Sequence, residues 1–167
     1  VRASDLLPQL HRKAIFNAAH FQKGFFLLVA GLAIKLCIAD IIAWYVKFGF
    51  SSLDEISTAK AWLSMYGFAF QILSDFWGYS TMAIGIGLMY GISLPTNFNF
   101  PYGATSFQEF WRRWHITLSE WFRDYLYIPL GGSKGNSNVY RNLILTMAIA
   151  GLWHGAGWNF LIWGFGH

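Results

Sequence analysis

Two histidines are the side chains of this sequence best suited to acid–base chemistry. His154 lies in the apolar run GLWHGAGWNFLIWG, and His115 lies in the aromatic and charged stretch SFQEFWRRWHITLSEWFRDYLYIPLGGS. Imidazole titrates near neutral pH, so two imidazoles that share one buried cavity can move a proton to or from a hydroxyl. We therefore predict a proton-transfer site at these histidines, and the elements that carry them must bring them together.

The apolar run around His154 predicts a helix that enters a membrane. Residues 143–166 contain no Asp, Glu, Lys or Arg. A helix that starts near Asn142 rises about 1.5 Å per residue, which places His154 roughly 18 Å deep, near the midplane of the bilayer. An ionisable residue at that depth indicates function, and the pair Gly155 and Gly157 predicts a helix break beside it. The alternative is a neutral core histidine that bonds a backbone carbonyl.

The stretch around His115 predicts one long amphipathic helix over residues 107–127. At about 100° per residue its aromatic side chains share one face and its charged side chains the other, with His115 at the boundary. Ser106 and Glu109 have the spacing of a capping box, and the proline and glycines that follow predict the end. A histidine at such a boundary is more often structural, so its pairing with His154 is what makes it a candidate.

The composition is typical of a membrane protein. Charged residues make up 12% of the 167 residues and aromatic residues 20%, and the mean hydropathy is +0.37. A soluble domain rarely has enough interior to bury so much apolar surface. Basic residues cluster in 1–23 and 96–142, which indicates two cytoplasmic segments under the positive-inside rule rather than a nucleic-acid partner. The single cysteine, Cys37, cannot form an internal disulfide.

Three apolar stretches predict membrane spans. Residues 24–46 have the length of one span, which needs about 20 residues. Residues 61–94 would form a helix about 50 Å long, so we predict a break near Asp75 and Gly78, with an interfacial or re-entrant first half and a span over 78–95. The third span is the apolar run 143–166, which contains His154. The predicted fold class is all-α and polytopic transmembrane, with about three spans plus amphipathic or re-entrant helices.

Three charged residues interrupt these spans. Lys35 and Asp40 lie about 140° apart on an α-helix and do not pair easily, so either they have partners on other helices or the segment is a bent pair of half-helices. A polar path through Lys35, Asp40 and Asp75 would suit a transporter, and a non-catalytic scaffold is a further alternative. Both ends look cut, so we expect residues 1–167 to be one internal fragment of a larger membrane domain.

Other chemistries fit the sequence poorly. The two histidines are 39 residues apart, without H-x-x-x-H spacing or a cysteine partner, so we expect no metal or haem site. The sequence has no P-loop, no G-x-S-x-G motif and no dinucleotide-binding glycine pattern.

Long motifs around both histidines resemble the membrane-bound O-acyltransferase family. The motifs are FWRRWHITLS at 110–119, WFRDYLYIPLGG at 121–132 and GLWHGAGW at 151–158. The closest resemblance is to the bacterial alginate O-acetylation branch, and the teichoic acid D-alanyl transfer branch is more distant. The resemblance implies a multi-helix membrane enzyme with a tunnel through its core. His154 matches the catalytic histidine of the family, and His115 matches a second histidine that faces the tunnel.

The resemblance also implies the reaction. The family moves an acyl group from a thioester to a hydroxyl, so we expect an acyltransferase with acetyl-CoA or another acyl thioester as donor and no bound cofactor. The acyl group, expected to be acetyl, would pass toward an extracytoplasmic polysaccharide such as alginate. Expected partners are the bilayer, that polysaccharide and a periplasmic SGNH-type acetyltransferase or esterase-like protein. The expected location is the bacterial inner membrane, with several spans. Transfer of D-alanyl or another acyl group to a cell-envelope polymer is the alternative.

Five residues are candidates for substrate contacts. Trp153, Asn159 or backbone N–H groups bared by the helix break are candidate donors to the oxyanion that develops during acyl transfer. Arg112, Arg113 and Arg123 are candidates to hold the phosphates of the donor, although a solvated charged face is an equally good interpretation.

Overall fold

The computed structural model describes residues 2–13, 15–51, 57–133 and 138–167, and in these residues it contains helices and loops but no β-strand. The all-α fold class is therefore confirmed for the described part. The helices are α1 (Ala3–Leu10), α2 (Ala18–Ile34), α3 (Asp40–Phe50), α4 (Thr58–Met89), α5 (Phe107–Arg113), α6 (Ile116–Phe122), α7 (Val139–His154) and α8 (Trp158–Gly166). Charged, glycine and serine residues predict loops at 47–60 and 131–138. Parts of both stretches, residues 52–56 and 134–137, lie outside the described residues.

The chain divides into two compact units, Val1–Phe98 and Asn99–His167. The expectation that residues 1–167 are one fragment of a membrane domain stays a prediction.

In the first unit, α2 and α3 form one continuous helix. A π-helical turn over Lys35–Ala39 joins them, so the helical run Ala18–Phe50 has 33 residues. Within the described residues it is the one helix long and apolar enough to cross a membrane. It contains the predicted span 24–46, whereas the polytopic fold and the count of about three spans stay predictions.

Lys35 forms two ion pairs at this π-helical turn. Its Nζ lies 2.7 Å from Asp40 Oδ1 and 2.7 Å from Asp75 Oδ1 on α4. The prediction that Lys35 and Asp40 do not pair easily is wrong, because the Asp40 N–H donates to the Lys35 carbonyl. This i to i+5 bond of a π-helix brings the two side chains to the same side. The alternative that placed a partner on another helix is confirmed by Asp75.

α4 runs without interruption over the 32 residues Thr58–Met89, so the predicted break near Asp75 and Gly78 is wrong. A glycine inside a helix costs only about 1 kcal/mol relative to alanine, and contact with another helix can offset that cost. The contact is with α2, since a Cβ at Gly78 would lie 2.8 Å from the Gly31 carbonyl oxygen. A helix longer than the hydrocarbon core can also extend beyond it or tilt.

Two glycine pairs set the short distance between α2 and α4. A Cβ at Gly24 would lie 2.5 Å from the Gly85 carbonyl oxygen, and one at Gly31 would lie 2.6 Å from the Gly78 carbonyl oxygen. Real Cβ atoms do not approach oxygen so closely, so these two helices touch through their backbones.

Ala83, Gly87 and Gly91 repeat every four residues, a spacing that predicts close packing of another helix. A Cβ at Gly87 would lie 3.0 Å from the carbonyl oxygen of Ile92, and Gly91, which follows the end of α4, turns the chain with φ of 75°. The prediction is wrong at Gly87 and Gly91, because the chain reverses direction there.

Residues 92–98 then return along α4 as irregular chain. Asn97 Nδ2 donates to Ser80 Oγ over 3.2 Å. The Gln9 side chain of α1 accepts from the Ser93 N–H over 2.8 Å and donates to the Ser93 carbonyl over 3.2 Å. These bonds hold the segment against α4 at one end and tie it to α1 at the other.

In the second unit, the predicted single helix over 107–127 is divided. α5 ends at Arg113, α6 begins at Ile116, and a π-helical turn over Arg123–Tyr127 follows. α7 and α8 form a hairpin whose backbones touch, because a Cβ at Gly151 would overlap the carbonyl oxygen of Phe160.

Candidate active site

His115 lies at the point where α5 and α6 separate. Its φ of 40° and ψ of 55° place it in the left-handed region, while Trp114 before it is extended. The left-handed conformation costs a non-glycine residue about 1–2 kcal/mol. The backbone carbonyls at this break are hydrogen-bonded. The His115 carbonyl accepts from the first N–H donors of α6, and the Trp114 carbonyl accepts from the Ser119 hydroxyl over 3.2 Å. The imidazole therefore projects from a joint between two helices and not from a continuous helix surface.

The start of α5 has the Ser106 half of the predicted capping box, whereas Glu109 bonds Thr105 and not the Ser106 N–H. Ser106 Oγ accepts from the Glu109 N–H over 3.2 Å. The Glu109 carboxylate accepts from the backbone N–H and the hydroxyl of Thr105, over 2.7 Å and 2.8 Å. These bonds to Thr105 are the main reason that the pKa of Glu109 lies below its ordinary value, and the charge of Arg113 lowers it further. The start of α5 is thus fixed about two turns before His115.

His154 is the last residue of α7, and the glycines after it end the helix as predicted. The chain passes through Gly155–Gly157 and starts α8 at Trp158. A Cβ at Gly155 would lie 2.5 Å from the Phe160 ring, so only glycine fits there without a shift of that ring. The three-residue connection therefore keeps the start of α8 beside His154.

Trp153 lies between the two histidines. Its ring centroid is 6.4 Å from that of His115 and 5.1 Å from that of His154, with edge-to-face orientations. Burial, and next the nearby His154, lower the pKa of His115 from 6.5 to about 4. The fold thus brings both predicted histidines into one site, with His115 neutral at physiological pH.

Further aromatic side chains complete the surroundings of His154. The Trp163 ring on α8 lies 5.3 Å from the His154 ring and 4.4 Å from that of His167. The Trp111 ring on α5 lies 5.9 Å from Trp163 and 5.7 Å from His167. His167 Nδ1 is also 2.9 Å from the Trp163 carbonyl oxygen.

Sequence reasoning missed Trp163 and His167 as neighbours of the site. The helical spacing of Phe160, Trp163 and His167, three and four residues apart, is the signal that places them on one face of α8.

The candidate substrate residues have different surroundings. Arg113 is engaged, since it pairs with Glu109 and donates to the Phe100 carbonyl over 3.3 Å. Arg112 is exposed and has no ion pair among the described residues. Asn159 lies at the start of α8, with its Oδ1 2.5 Å from where a Cβ on Gly157 would be. Arg123 pairs with Asp124. Arg112 is therefore the best placed of the three arginines to bind a ligand.

Comparison with known proteins adds a family match. A family model described as MBOAT, membrane-bound O-acyltransferase family, matches residues 6–167. The whole chain is 48% identical to a peptidoglycan O-acetyltransferase of Helicobacter pylori, of which it covers 32%, and 47% identical to a protein of Azotobacter vinelandii named "Probable alginate O-acetylase AlgI", of which it covers 33%. Over 62% of its length it is 35% identical to a teichoic acid D-alanyltransferase of Streptococcus thermophilus, of which it covers 27%. The chain thus spans about a third of the length of the first two relatives.

Proposed function

Because the chain belongs to the membrane-bound O-acyltransferase family, a family of membrane proteins, we propose that the full-length protein transfers an acetyl group from a thioester toward a hydroxyl, with His154 as general base. One observation carries the assignment of the site: the Trp153 ring contacts both imidazoles, so two histidines that are distant in the sequence lie beside the same aromatic ring. Paired imidazoles beside an aromatic surface suit proton transfer during attack on a carbonyl.

In the proposed reaction His154 carries the proton from the attacking hydroxyl to the departing thiolate. Neutral His154 takes the hydroxyl proton as the oxygen forms a bond to the thioester carbonyl carbon. The C–S bond then breaks, and the imidazolium returns the proton to the departing thiolate. The products are an ester and a thiol, and His154 is neutral again. His115, neutral at working pH, orients a reactant by hydrogen bonding.

Donors for the oxyanion are available beside His154. The first N–H groups of a helix have no acceptor within it, and in α8 the bonds begin only at Phe160, whose N–H donates to the Gly157 carbonyl. The N–H groups of Trp158 and Asn159 are therefore candidates, together with the side chains of Trp153 and Asn159.

The acyl donor we propose is acetyl-CoA or another acyl thioester, used as a substrate and not as a resident cofactor. Arg112 supports this proposal, because its exposed guanidinium can bind phosphate oxygens in a bidentate manner. Arg113 would position the 99–105 loop instead, since its carbonyl accepts from the Asn99 N–H over 3.0 Å.

The acceptor we propose is a hydroxyl that leads to an extracytoplasmic glycan. Alginate and peptidoglycan, which the names of the O-acetylating relatives mention, are both polysaccharides. In this proposal the protein is a multi-pass protein of the bacterial inner membrane, and an SGNH-type periplasmic partner completes the transfer to the polymer.

The test is a His154→Ala substitution in the full-length protein, in cells that lack the chromosomal copy. We expect polymer-bound O-acetyl to fall by about 100-fold or more, since general acid–base catalysis contributes 10²–10⁴-fold. His20→Ala is the matched control, because His20 is exposed near the start of α2, and it should acetylate normally. Normal acetylation in the His154→Ala variant would refute the assignment.

D-alanyl transfer is the second candidate, favoured by the similarity to the D-alanyltransferase. Identification of the ester released from the polymer by mild base, acetate or D-alanine, distinguishes the two.

A further inference from the structure

A groove in the first unit lies apart from the histidine site. Its volume is about 510 Å³, and its walls come from α2, α4 and the irregular segment 92–98. One end is Lys23, near the start of α2, and the other end is formed by Ile34 and Trp77.

The groove has the length of one bilayer leaflet. Eleven residues of helix separate Lys23 from Ile34, about 16 Å, whereas half of the hydrocarbon core is about 15 Å. Ile34 is also the middle residue of the candidate span Ala18–Phe50. If that helix crosses the bilayer, the groove extends from the headgroup level to the midplane.

The lining is mainly apolar, and Lys23 makes one end positively charged. Its polar members are Ser80, Thr81, Ser93, Thr96 and Asn97. The helical walls contribute Leu27, Ala30, Ile84 and Leu88. The hydroxyl of Thr81 already donates to the Trp77 carbonyl over 2.8 Å, so it needs no partner in the groove. Lys23 is exposed and has no ion pair among the described residues.

The close contact between α2 and α4 fixes the width of the groove. The groove cannot widen by moving α2 from α4 without loss of the backbone contacts at Gly24 and Gly31.

We propose that this groove binds one anionic phospholipid of the cytoplasmic leaflet, with its phosphate at Lys23 and one acyl chain between α2, α4 and segment 92–98. The orientation follows from the basic residues of 1–23, which place this end of the helix on the cytoplasmic side. The Gln9–Ser93 bonds keep the third wall in place. The site is independent of the proposed acyl transfer.

The test uses the full-length protein in nanodiscs of phosphatidylglycerol and phosphatidylcholine, with retained lipid counted by native mass spectrometry after extraction. The wild-type protein should retain one phosphatidylglycerol. Lys23→Gln should lower the preference for phosphatidylglycerol about fivefold, since one basic residue is lost near the membrane surface. Ala30→Phe, which fills the groove, should abolish retention.

Lys47→Gln is the matched control, because Lys47 is in the same helical run but does not line the groove; it should behave as wild type. Retention that is unaffected by Lys23→Gln would overturn the proposal, and so would retention that is unaffected by Ala30→Phe. So would a wild-type protein that retains no lipid, since another helix of the full-length protein would then fill the groove. Lys23→Gln decides the matter even if Ala30→Phe does not fold.

Discussion

At the scale of single residues, the backbone of His115 matters as much as its imidazole. Two non-glycine residues of the described chain have positive φ, Phe100 and His115, and both lie in the second unit. Strained backbone of this kind persists where surrounding contacts require it, and it clusters at functional sites. At His115 the strain ends α5 and directs the ring toward Trp153, which a continuous helix would not do.

Replacement of His115 separates its chemistry from its conformation. Glycine adopts the left-handed region freely whereas alanine does not, so His115→Gly should be more stable than His115→Ala by about 1 kcal/mol. Both variants lack the imidazole, and we expect both to lose at least about tenfold in polymer acetylation. Thermal unfolding of the full-length protein in detergent and polymer-bound acetyl are the two measurements. Full acetylation by His115→Gly would reduce this residue to a helix break.

At the scale of secondary-structure elements, the π-helical turn lets the charged side chains of Lys35, Asp40 and Asp75 pair with one another. One lysine pairs with a carboxylate on its own helical run and with another on α4. Unpaired charges within a membrane helix are costly, and pairing is the usual remedy. The π-helical turn permits the first pair, and the close packing of α2 on α4 permits the second.

Lys35→Gln should lower the yield and the thermal stability of the full-length protein, because it leaves the carboxylates of Asp40 and Asp75 without their cation. Removal of one member of such a network does more damage than removal of all its charges. The triple variant Lys35→Gln, Asp40→Asn, Asp75→Asn should therefore recover most of the lost stability. Lys47→Gln is the control for loss of a lysine alone. A triple variant less stable than Lys35→Gln would contradict this account.

The same triple variant bears on the transporter alternative. If a transport path ran along these charges, their removal would abolish transport. The triple variant would then be stable but inactive. Acyl transfer at His154 predicts that acetylation recovers together with stability.

At the scale of the whole molecule, the described surface is one that needs lipid or further helices. Large apolar side chains are exposed in both units, among them Trp44 at 65%, Leu63 at 74% and Trp158 at 80%. Exposed apolar surface on this scale marks contact with a membrane or another protein.

The run Ala18–Phe50 predicts that residues 13 and 51 lie on opposite sides of the membrane. In a full-length Cys37→Ser background, with any cysteines elsewhere also replaced, Lys13→Cys should be protected from a membrane-impermeant thiol reagent in intact cells. Ser51→Cys should be labelled, because the basic segment 1–23 is expected to be cytoplasmic. Labelling of both positions, or of neither, would show that this helix does not cross.

The sequence by itself determined the class of protein and the residues to examine. Composition indicated a membrane protein, and the motifs around His115 and His154 pointed to the family that the comparison confirms. Local signals were also reliable where the interaction is local: the Ser106 cap and the end of α7 at His154 are both confirmed. Caps and glycine breaks depend on neighbours within a turn, so a linear pattern contains them.

Only the tertiary structure decided the points that depend on distant partners. α4 continues through Gly78 because α2 packs there, and Lys35 pairs with Asp40 because a π-helical turn replaces the regular helix. The amphipathic pattern of 107–127 predicted one helix because periodicity averages over a strained residue such as His115. The shared site of the two histidines also depends on distant parts of the chain, since it requires the break after α5 and the placement of Trp153 on α7.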